Sequence, residues 1–102
     1  MSNEMSNEIL NDPELQRILV ACLDYWNTEP VAPAERFVCY TWVLRRYQAR
    51  FGGTFHQSRL AELERLEVLA KDGDTSRGGH RRYYRIIDPF ALAERLKGCN
   101  LN

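Results

Sequence analysis

The sequence contains no long apolar run, because its longest series of consecutive apolar residues, Ile18 to Leu23, has only six members. A membrane-spanning helix needs roughly 18 such residues. The first residues repeat Met-Ser-Asn-Glu and carry no basic cluster, so the charge pattern of a secretory signal is also missing. We therefore expect a cytoplasmic protein that does not act at a membrane.

Cysteine and histidine are scarce. Cysteine occurs at Cys22, Cys39 and Cys99 and never as Cys-x-x-Cys, which excludes the usual zinc frameworks and a disulfide scaffold. Histidine occurs only at His56 and His80, and the sequence has no nucleophile elbow or phosphate-binding loop. Cys39 lies in an apolar stretch predicted to be helical, where a thiol is unreactive. These gaps predict a protein that is not an enzyme and uses no cofactor or metal.

The charges are balanced overall but unevenly distributed. The 102 residues, enough for one domain, include 14 basic and 14 acidic side chains. Residues 1–35 hold seven acids and one base, whereas residues 36–102 hold 13 bases and seven acids. Twelve of the bases are arginine, whose planar guanidinium binds phosphate and guanine through paired hydrogen bonds. The second part of the chain is therefore suited to an anionic partner.

Local signals predict a first helix from Pro13 to about Thr28. Asp12 is a good N-cap, Pro13 suits the first helical position and Glu14 suits the first turn. The apolar residues that follow recur at helical spacing: Leu15, Ile18, Leu19, Cys22, Leu23 and Trp26.

A second helix is predicted from Pro33 or Ala34 to about Phe51. Its apolar stripe recurs every three or four residues: Phe37, Tyr40, Leu44, Tyr47 and Phe51. Gly52-Gly53 ends this helix, and we expect one of the two glycines to adopt a positive φ.

A third helix is predicted from Phe55 to about Glu67. Residues 54–57, Thr-Phe-His-Gln, match a capping box, in which the threonine hydroxyl and the glutamine side chain satisfy free amides of the first turn. The buried edge of this helix is predicted to consist of Leu60, Leu63 and Leu66.

A β-hairpin and a short helix complete the predicted elements. Residues 68–72 and 82–87 have strand character and flank a basic turn rich in glycine. Tyr84 is predicted to face the core and Tyr83 to face outward, where packing is favoured over a phosphate contact. Asp88-Pro89 then begins a helix that ends near Lys97 and docks through Leu92 and Leu96.

This order of elements resembles a winged helix-turn-helix over about residues 15–88. Residues 63–71, Leu-Glu-Arg-Leu-Glu-Val-Leu-Ala-Lys, look like the exit of a recognition helix into the first wing strand. Residues 78–86, Gly-Gly-His-Arg-Arg-Tyr-Tyr-Arg-Ile, look like the second wing strand of PadR-type transcriptional regulators. Related families often have glycine where this chain has Glu67, so Glu67 needs either a strained φ or a different cap.

The resemblance implies an α+β fold with three main helices, a two-stranded β-hairpin wing and a short C-terminal helix. We expect a disordered tail over residues 1–11, the winged-helix domain over 12–97 and a C-terminal tail over 98–102.

The resemblance also implies a transcriptional regulator of bacteria or phages that binds double-stranded DNA. The recognition helix, residues 55–67, would enter the major groove, and the wing, residues 72–82, would lie on the backbone or in the minor groove. Glutamine and arginine can read adenine and guanine edges, and wing glycines let arginines approach the DNA closely. The side chains expected at the DNA are His56, Gln57, Ser58, Arg59, Arg65, Arg77, His80, Arg81 and Arg82.

Aromatic residues are abundant in the first two predicted helices. Tyr25, Trp26 and Trp42 are the candidates for a partner or homodimer surface, unless the aromatics complete one core. A homodimer is expected because a single module of this size binds DNA weakly.

The alternative function is a winged-helix protein–protein interaction module, or an assembly subunit, without DNA binding. It predicts an exposed aromatic patch and acids that interrupt the basic surface. DNA binding instead predicts one continuous face formed by Arg65, Arg77, Arg81 and Arg82.

Overall fold

The computed structural model describes residues 7–32, 36–71 and 83–97. These residues form an α+β fold with five helices and a three-stranded antiparallel sheet, which is compatible with a winged-helix-like arrangement. The elements are α1 Asn7–Leu10, α2 Pro13–Thr28, β1 Val38–Cys39, α3 Tyr40–Phe51, α4 Ser58–Arg65, β2 Leu69–Lys71, β3 Tyr83–Ile86 and α5 Pro89–Lys97. Within the described residues, no helix is both long and apolar enough to cross a membrane.

The predicted first helix is confirmed as α2. The Asp12 carboxylate accepts a hydrogen bond from the Leu15 amide at 3.2 Å, and Pro13 occupies the first turn. The helix ends at Thr28, as its sequence signals predict. Its apolar stripe lies in the main core, where Ile18, Leu19 and Cys22 are fully buried.

Part of the expected N-terminal tail is folded. Residues 7–10 form the helical turn α1, and Ile9 within it is fully buried. The Gln16 side-chain amide donates to the Ile9 and Leu10 carbonyls at 2.8 and 2.9 Å. A single apolar side chain has no periodicity, so the sequence pattern does not reveal that Ile9 docks. The rest of the expected tail, residues 1–6, lies outside the described residues.

The prediction of one helix from residue 33 or 34 to Phe51 is wrong at its start. Val38 and Cys39 form strand β1, and α3 begins only at Tyr40. β1 pairs antiparallel with β3, with Val38 opposite Tyr84. β1 therefore receives its backbone hydrogen bonds from a segment more than 40 residues away. The spacing of apolar residues in the sequence carries no information about such a distant partner.

The hairpin and the last helix are confirmed. β2 and β3 pair antiparallel with Leu69 opposite Ile86, and β3 is the central strand in the order β1-β3-β2. Their connection, residues 72–82, lies outside the described residues. The Asp88 carboxylate accepts from the Ala91 amide at 3.0 Å at the start of α5. Leu92 and Leu96 dock α5 on the core.

Both faces of the sheet carry buried side chains. Tyr84 and Ile86 lie in the main core, as predicted for Tyr84. Tyr83 was expected to face outward, but it is only 7% exposed. It packs in a second cluster with Phe37, Cys39 and the half-buried Trp42. Tyr83 is buried because β1 and α3 bring these side chains to the second face, and its role is therefore packing.

Candidate nucleic-acid interface

Two glycines and one buried aromatic residue position the start of α4. Gly52 and Gly53 have φ values of 77° and 76°, so both adopt the positive φ that was expected of one. Gly52 combines its φ with a ψ of 168°, a conformation essentially restricted to glycine. The Phe55 ring is buried against Tyr40 and Tyr47, and the Tyr40 hydroxyl donates to the Phe55 carbonyl at 2.7 Å. The loop between α3 and α4 is therefore fixed on the core.

The predicted capping box is not formed. α4 begins at Ser58 rather than at Phe55, and its N-cap residue Gln57 makes no side-chain capping bond. Instead, His56 Nδ1 accepts from the Ser58 amide at 3.1 Å and lies 2.9 Å from the Ser58 Oγ. Docking of Phe55 in the core keeps residues 54–57 out of the helix, so Thr54 does not reach the capping position.

The end of α4 is closed by Glu67 in the left-handed conformation. Its φ is 64°, so of the two alternatives that the sequence left open, a strained φ or a different cap, the structure has the strained φ. The Val68 amide donates to the Leu63 carbonyl and the Glu67 amide to the Glu64 carbonyl, both at 3.0 Å. These two bonds form a Schellman motif. The motif turns the chain from α4 directly into β2.

The buried edge of α4 leaves a polar side exposed. Leu60 and Leu63 are buried as predicted, and Leu66 is half-buried. The exposed residues at the start and along the outer side of α4 are His56, Gln57, Ser58, Ala61 and Arg65. Four of these were predicted to contact DNA. The wing candidates Arg77, His80, Arg81 and Arg82 lie outside the described residues.

Arg59 is not available to DNA in this structure. Its side chain is 20% exposed, and its guanidinium binds Asp12 at 2.5 Å, Glu14 at 2.7 Å and both oxygens of Glu62 at 2.9 Å. The contact predicted between Arg59 and DNA is therefore replaced by a clamp that holds α4 against the start of α2. The sequence does not reveal the clamp, because Asp12 and Glu14 are 47 and 45 residues away.

The clamp also changes the acidity of its members. Burial disfavours the charged form of Asp12, but the hydrogen bonds from Arg59 and from the Leu15 amide outweigh burial and lower the pKa of Asp12. Burial likewise disfavours the charged form of Arg59, and its carboxylate partners raise the pKa above the ordinary value. The carboxylates of the clamp therefore favour the charged form of Arg59.

Arg65 is held more loosely than Arg59. Its Nη2 lies 2.9 Å from a Glu8 carboxylate oxygen, and the two side chains are 61% and 57% exposed. An exposed ion pair of this kind contributes at most about 1 kcal/mol to stability. Arg65 can therefore exchange this carboxylate for another anion at small cost.

Carboxylates surround the arginines of α4 in the described part of the chain. Four of them pair with the arginines of α4, and two more lie on α4 or directly after it. The six are Glu8, Asp12, Glu14, Glu62, Glu64 and Glu67. Against Arg59 and Arg65 alone, these residues make the described part of this face acidic.

The described residues line one open depression and include no cluster of potential metal ligands. An open depression of about 420 Å³ lies beside the clamp, lined by Glu14, Tyr40, Thr54, Phe55, His56 and Arg59. Its arginine is already satisfied by carboxylates. No group of three or more potential metal ligands occurs in these parts of the chain. Cys39 is buried at the end of β1 rather than within a helix, and burial raises the pKa of Cys22 to about 12.

The aromatic residues proposed as a partner surface are largely internal. Trp26 is only 6% exposed, with the Arg36 guanidinium 4.5 Å above its ring and Phe90 edge-on at 6.0 Å. Tyr25 and Trp42 are half-buried and stack on each other at 5.1 Å. Burial, followed by the Glu29 carboxylate, raises the pKa of Tyr25.

Trp26 is therefore a core residue. The large apolar side chains that the structure exposes are different ones, namely Leu10, Val31, Ile87 and Phe90. Phe90, at 73% exposure, could have been suspected because it lies off the Leu92–Leu96 docking stripe.

Compared with family models, curated proteins and solved structures, the chain matches none of them.

Proposed function

We propose that this protein is a cytoplasmic, winged-helix transcriptional regulator that binds double-stranded DNA. In this proposal α4 is the recognition helix, and residues 72–82 form the wing. The observation that carries the proposal is the position of α4 between its neighbouring elements and the exposure of its polar side. This helix lies between a fixed glycine turn and a two-stranded hairpin, with its leucines in the core and its polar side exposed.

The order and pairing of the elements support this proposal. α2, β1, α3 and α4 are followed by β2 and β3, and β1 adds to the free side of β3. In a helix-turn-helix protein, the second helix of the motif enters the major groove while the first crosses the backbone. α3 and α4 would have these two roles.

The exposed side chains of α4 supply plausible chemistry for reading DNA. Gln57, Ala61 and Arg65 recur every four residues and so share one side of the helix. Glutamine can pair with adenine, arginine can pair with guanine or phosphate, and alanine can contact a thymine methyl group. Ser58 lies in the first turn, where free backbone amides attract phosphate. In this mechanism Arg59 positions α4 and does not contact the DNA.

Fluorescence anisotropy of a labelled random duplex of about 30 base pairs, at two salt concentrations, tests the proposal. We expect micromolar binding that weakens steeply with salt. Replacing both Arg81 and Arg82 with alanine should weaken binding to every sequence and reduce the salt dependence. The matched control replaces Arg95 and Lys97 on α5, which removes the same charge elsewhere. No binding by the wild-type protein at low salt would reject the proposal.

The DNA-bound form that we propose is a homodimer, because two modules on one duplex bind more tightly than one. Sedimentation with and without a bound duplex measures the number of chains. A 1:1 complex at saturation would contradict the dimer and leave DNA binding intact.

A second candidate function is a protein–protein interaction module that does not bind DNA. The observation that favours it is the group of six carboxylates around α4. In that case the wild-type protein would not bind the duplex at low salt, and α4 would present an acidic surface to a basic partner protein.

A further inference from the structure

The segment formed by residues 7–14 brings carboxylates to both arginines of α4. Glu8 binds Arg65 at 2.9 Å, while Asp12 and Glu14 bind Arg59. A guanidinium presents the same planar set of donors to a carboxylate and to a phosphate. The segment therefore occupies the α4 side chains that an incoming polyanion would use.

Glu8 is held near Arg65 by more than the ion pair. Ile9, the next residue, is fully buried, and the Gln16 amide binds the Ile9 and Leu10 carbonyls. These contacts keep the carboxylate at a high local concentration beside Arg65, as a tether does.

The two arginines differ in how readily they can be released. Arg59 is mostly buried and binds three carboxylates, so the clamp stays closed when a ligand arrives. The pair of Glu8 and Arg65 is exposed on both sides. Only Arg65 is therefore poised to change partners.

We propose that the N-terminal segment is an intramolecular competitor of nucleic acid, in which Glu8 occupies Arg65 in the free protein and is displaced by a DNA phosphate. This inference rests on the proposed DNA binding. It makes the segment an autoinhibitory contact, because binding at Arg65 requires the Glu8 pair to open. Displacement of a single exposed carboxylate changes affinity by roughly two- to five-fold.

Glu8→Gln tests the competition, because it keeps the side-chain size and removes the charge. We expect this variant to bind the random duplex roughly two- to five-fold more tightly than the wild-type protein at low salt. The matched control is Glu94→Gln. Glu94 forms an ion pair with Lys97 at 3.0 Å on α5 that is also exposed on both sides, and its loss should leave affinity nearly unchanged.

A double-mutant cycle separates competition at Arg65 from general repulsion between Glu8 and DNA. If Glu8 acts through Arg65, the gain from Glu8→Gln disappears when Arg65 is replaced by glutamine. An equal gain in the Arg65→Gln background would overturn the proposal, as would a gain no larger than that of Glu94→Gln.

The result for the wild-type protein distinguishes this inference from the function on which it rests. Wild-type binding without a gain from Glu8→Gln would reject the competition alone. Wild-type binding that becomes roughly two- to five-fold tighter in Glu8→Gln would support both. Absence of binding by every variant at low salt would reject both.

Discussion

Arg59 donates from Nε to the Glu14 carboxylate at 2.7 Å and so joins α4 to the start of α2, 45 residues earlier in the chain. Together with Asp12 and Glu62, this contact turns an arginine expected at the DNA into a structural clamp. The orientation of the proposed recognition helix therefore depends on side chains that are distant in the sequence.

Loss of the clamp should destabilise the fold. Arg59→Gln leaves three carboxylates close together without their cation, and we expect the free energy of unfolding to fall by about 1–2 kcal/mol. Arg65→Gln removes one exposed ion pair and should cost about 0.5 kcal/mol or less. Urea unfolding of both variants measures the difference. Equal losses would show that the Arg59 network contributes no more than one surface pair.

Acid should weaken the clamp through Asp12. The pKa of Asp12 lies below its ordinary value of 3.8 in the folded state, so the folded protein holds the charged carboxylate more favourably than the unfolded chain. This stabilisation is fully present above the ordinary pKa and is lost as the pH falls through the lower, folded-state pKa.

Asp12→Asn keeps a capping oxygen but cannot titrate. We expect the free energy of unfolding of this variant to fall less steeply than that of the wild-type protein below about pH 4. Chemical denaturation at a series of pH values checks this expectation, and parallel curves would contradict it.

Glycine should relieve the left-handed conformation at Glu67. Glu67→Gly removes the clash of the Cβ atom at positive φ, and we expect a gain of about 0.5–1 kcal/mol in the free energy of unfolding. Glu64→Gly, within α4 at an ordinary helical conformation, should instead cost about 1 kcal/mol. Thermal unfolding compares the two substitutions. A loss of stability in Glu67→Gly would show that the glutamate side chain has a compensating role.

Ile9 should contribute to stability although it lies in a polar, terminal segment. Ile9→Ala should lower the free energy of unfolding by about 2 kcal/mol, because it removes a fully buried side chain. Leu10→Ala should have an effect of about 0.5 kcal/mol or less, since Leu10 is 49% exposed. If the two variants unfold alike, α1 does not dock as described.

Much of the fold was predictable because its signals are local. Asp12 and Asp88 cap helices through amides three residues away, and each cap depends on neighbouring residues alone. The turn at Gly52 and Gly53 was also predictable from the sequence, since positive φ values favour glycine over other residues. Gln57, Ser58 and Arg65, which were predicted to lie opposite the buried leucines, are exposed.

The features that were missed depend on partners far away in the chain. β1 has only two residues, and it exists because Val38 and Cys39 pair with β3. Trp26 and Tyr83 are buried because other elements cover them, so hydrophobicity did not distinguish a partner surface from a core.

By itself, the sequence determined where α2, the hairpin and α5 occur and that a helix follows Gly53, because caps, glycines and apolar spacing act within a few residues. Only the tertiary structure decided which arginines of α4 are bound firmly by carboxylates. Both Arg59 and Arg65 are arginines of the same helix, so the sequence does not distinguish them. In the structure Arg59 is bound by three carboxylates, whereas Arg65 is bound by a single exposed one. The physical reason is that electrostatic interactions depend on distance and burial in space, which sequence separation does not specify.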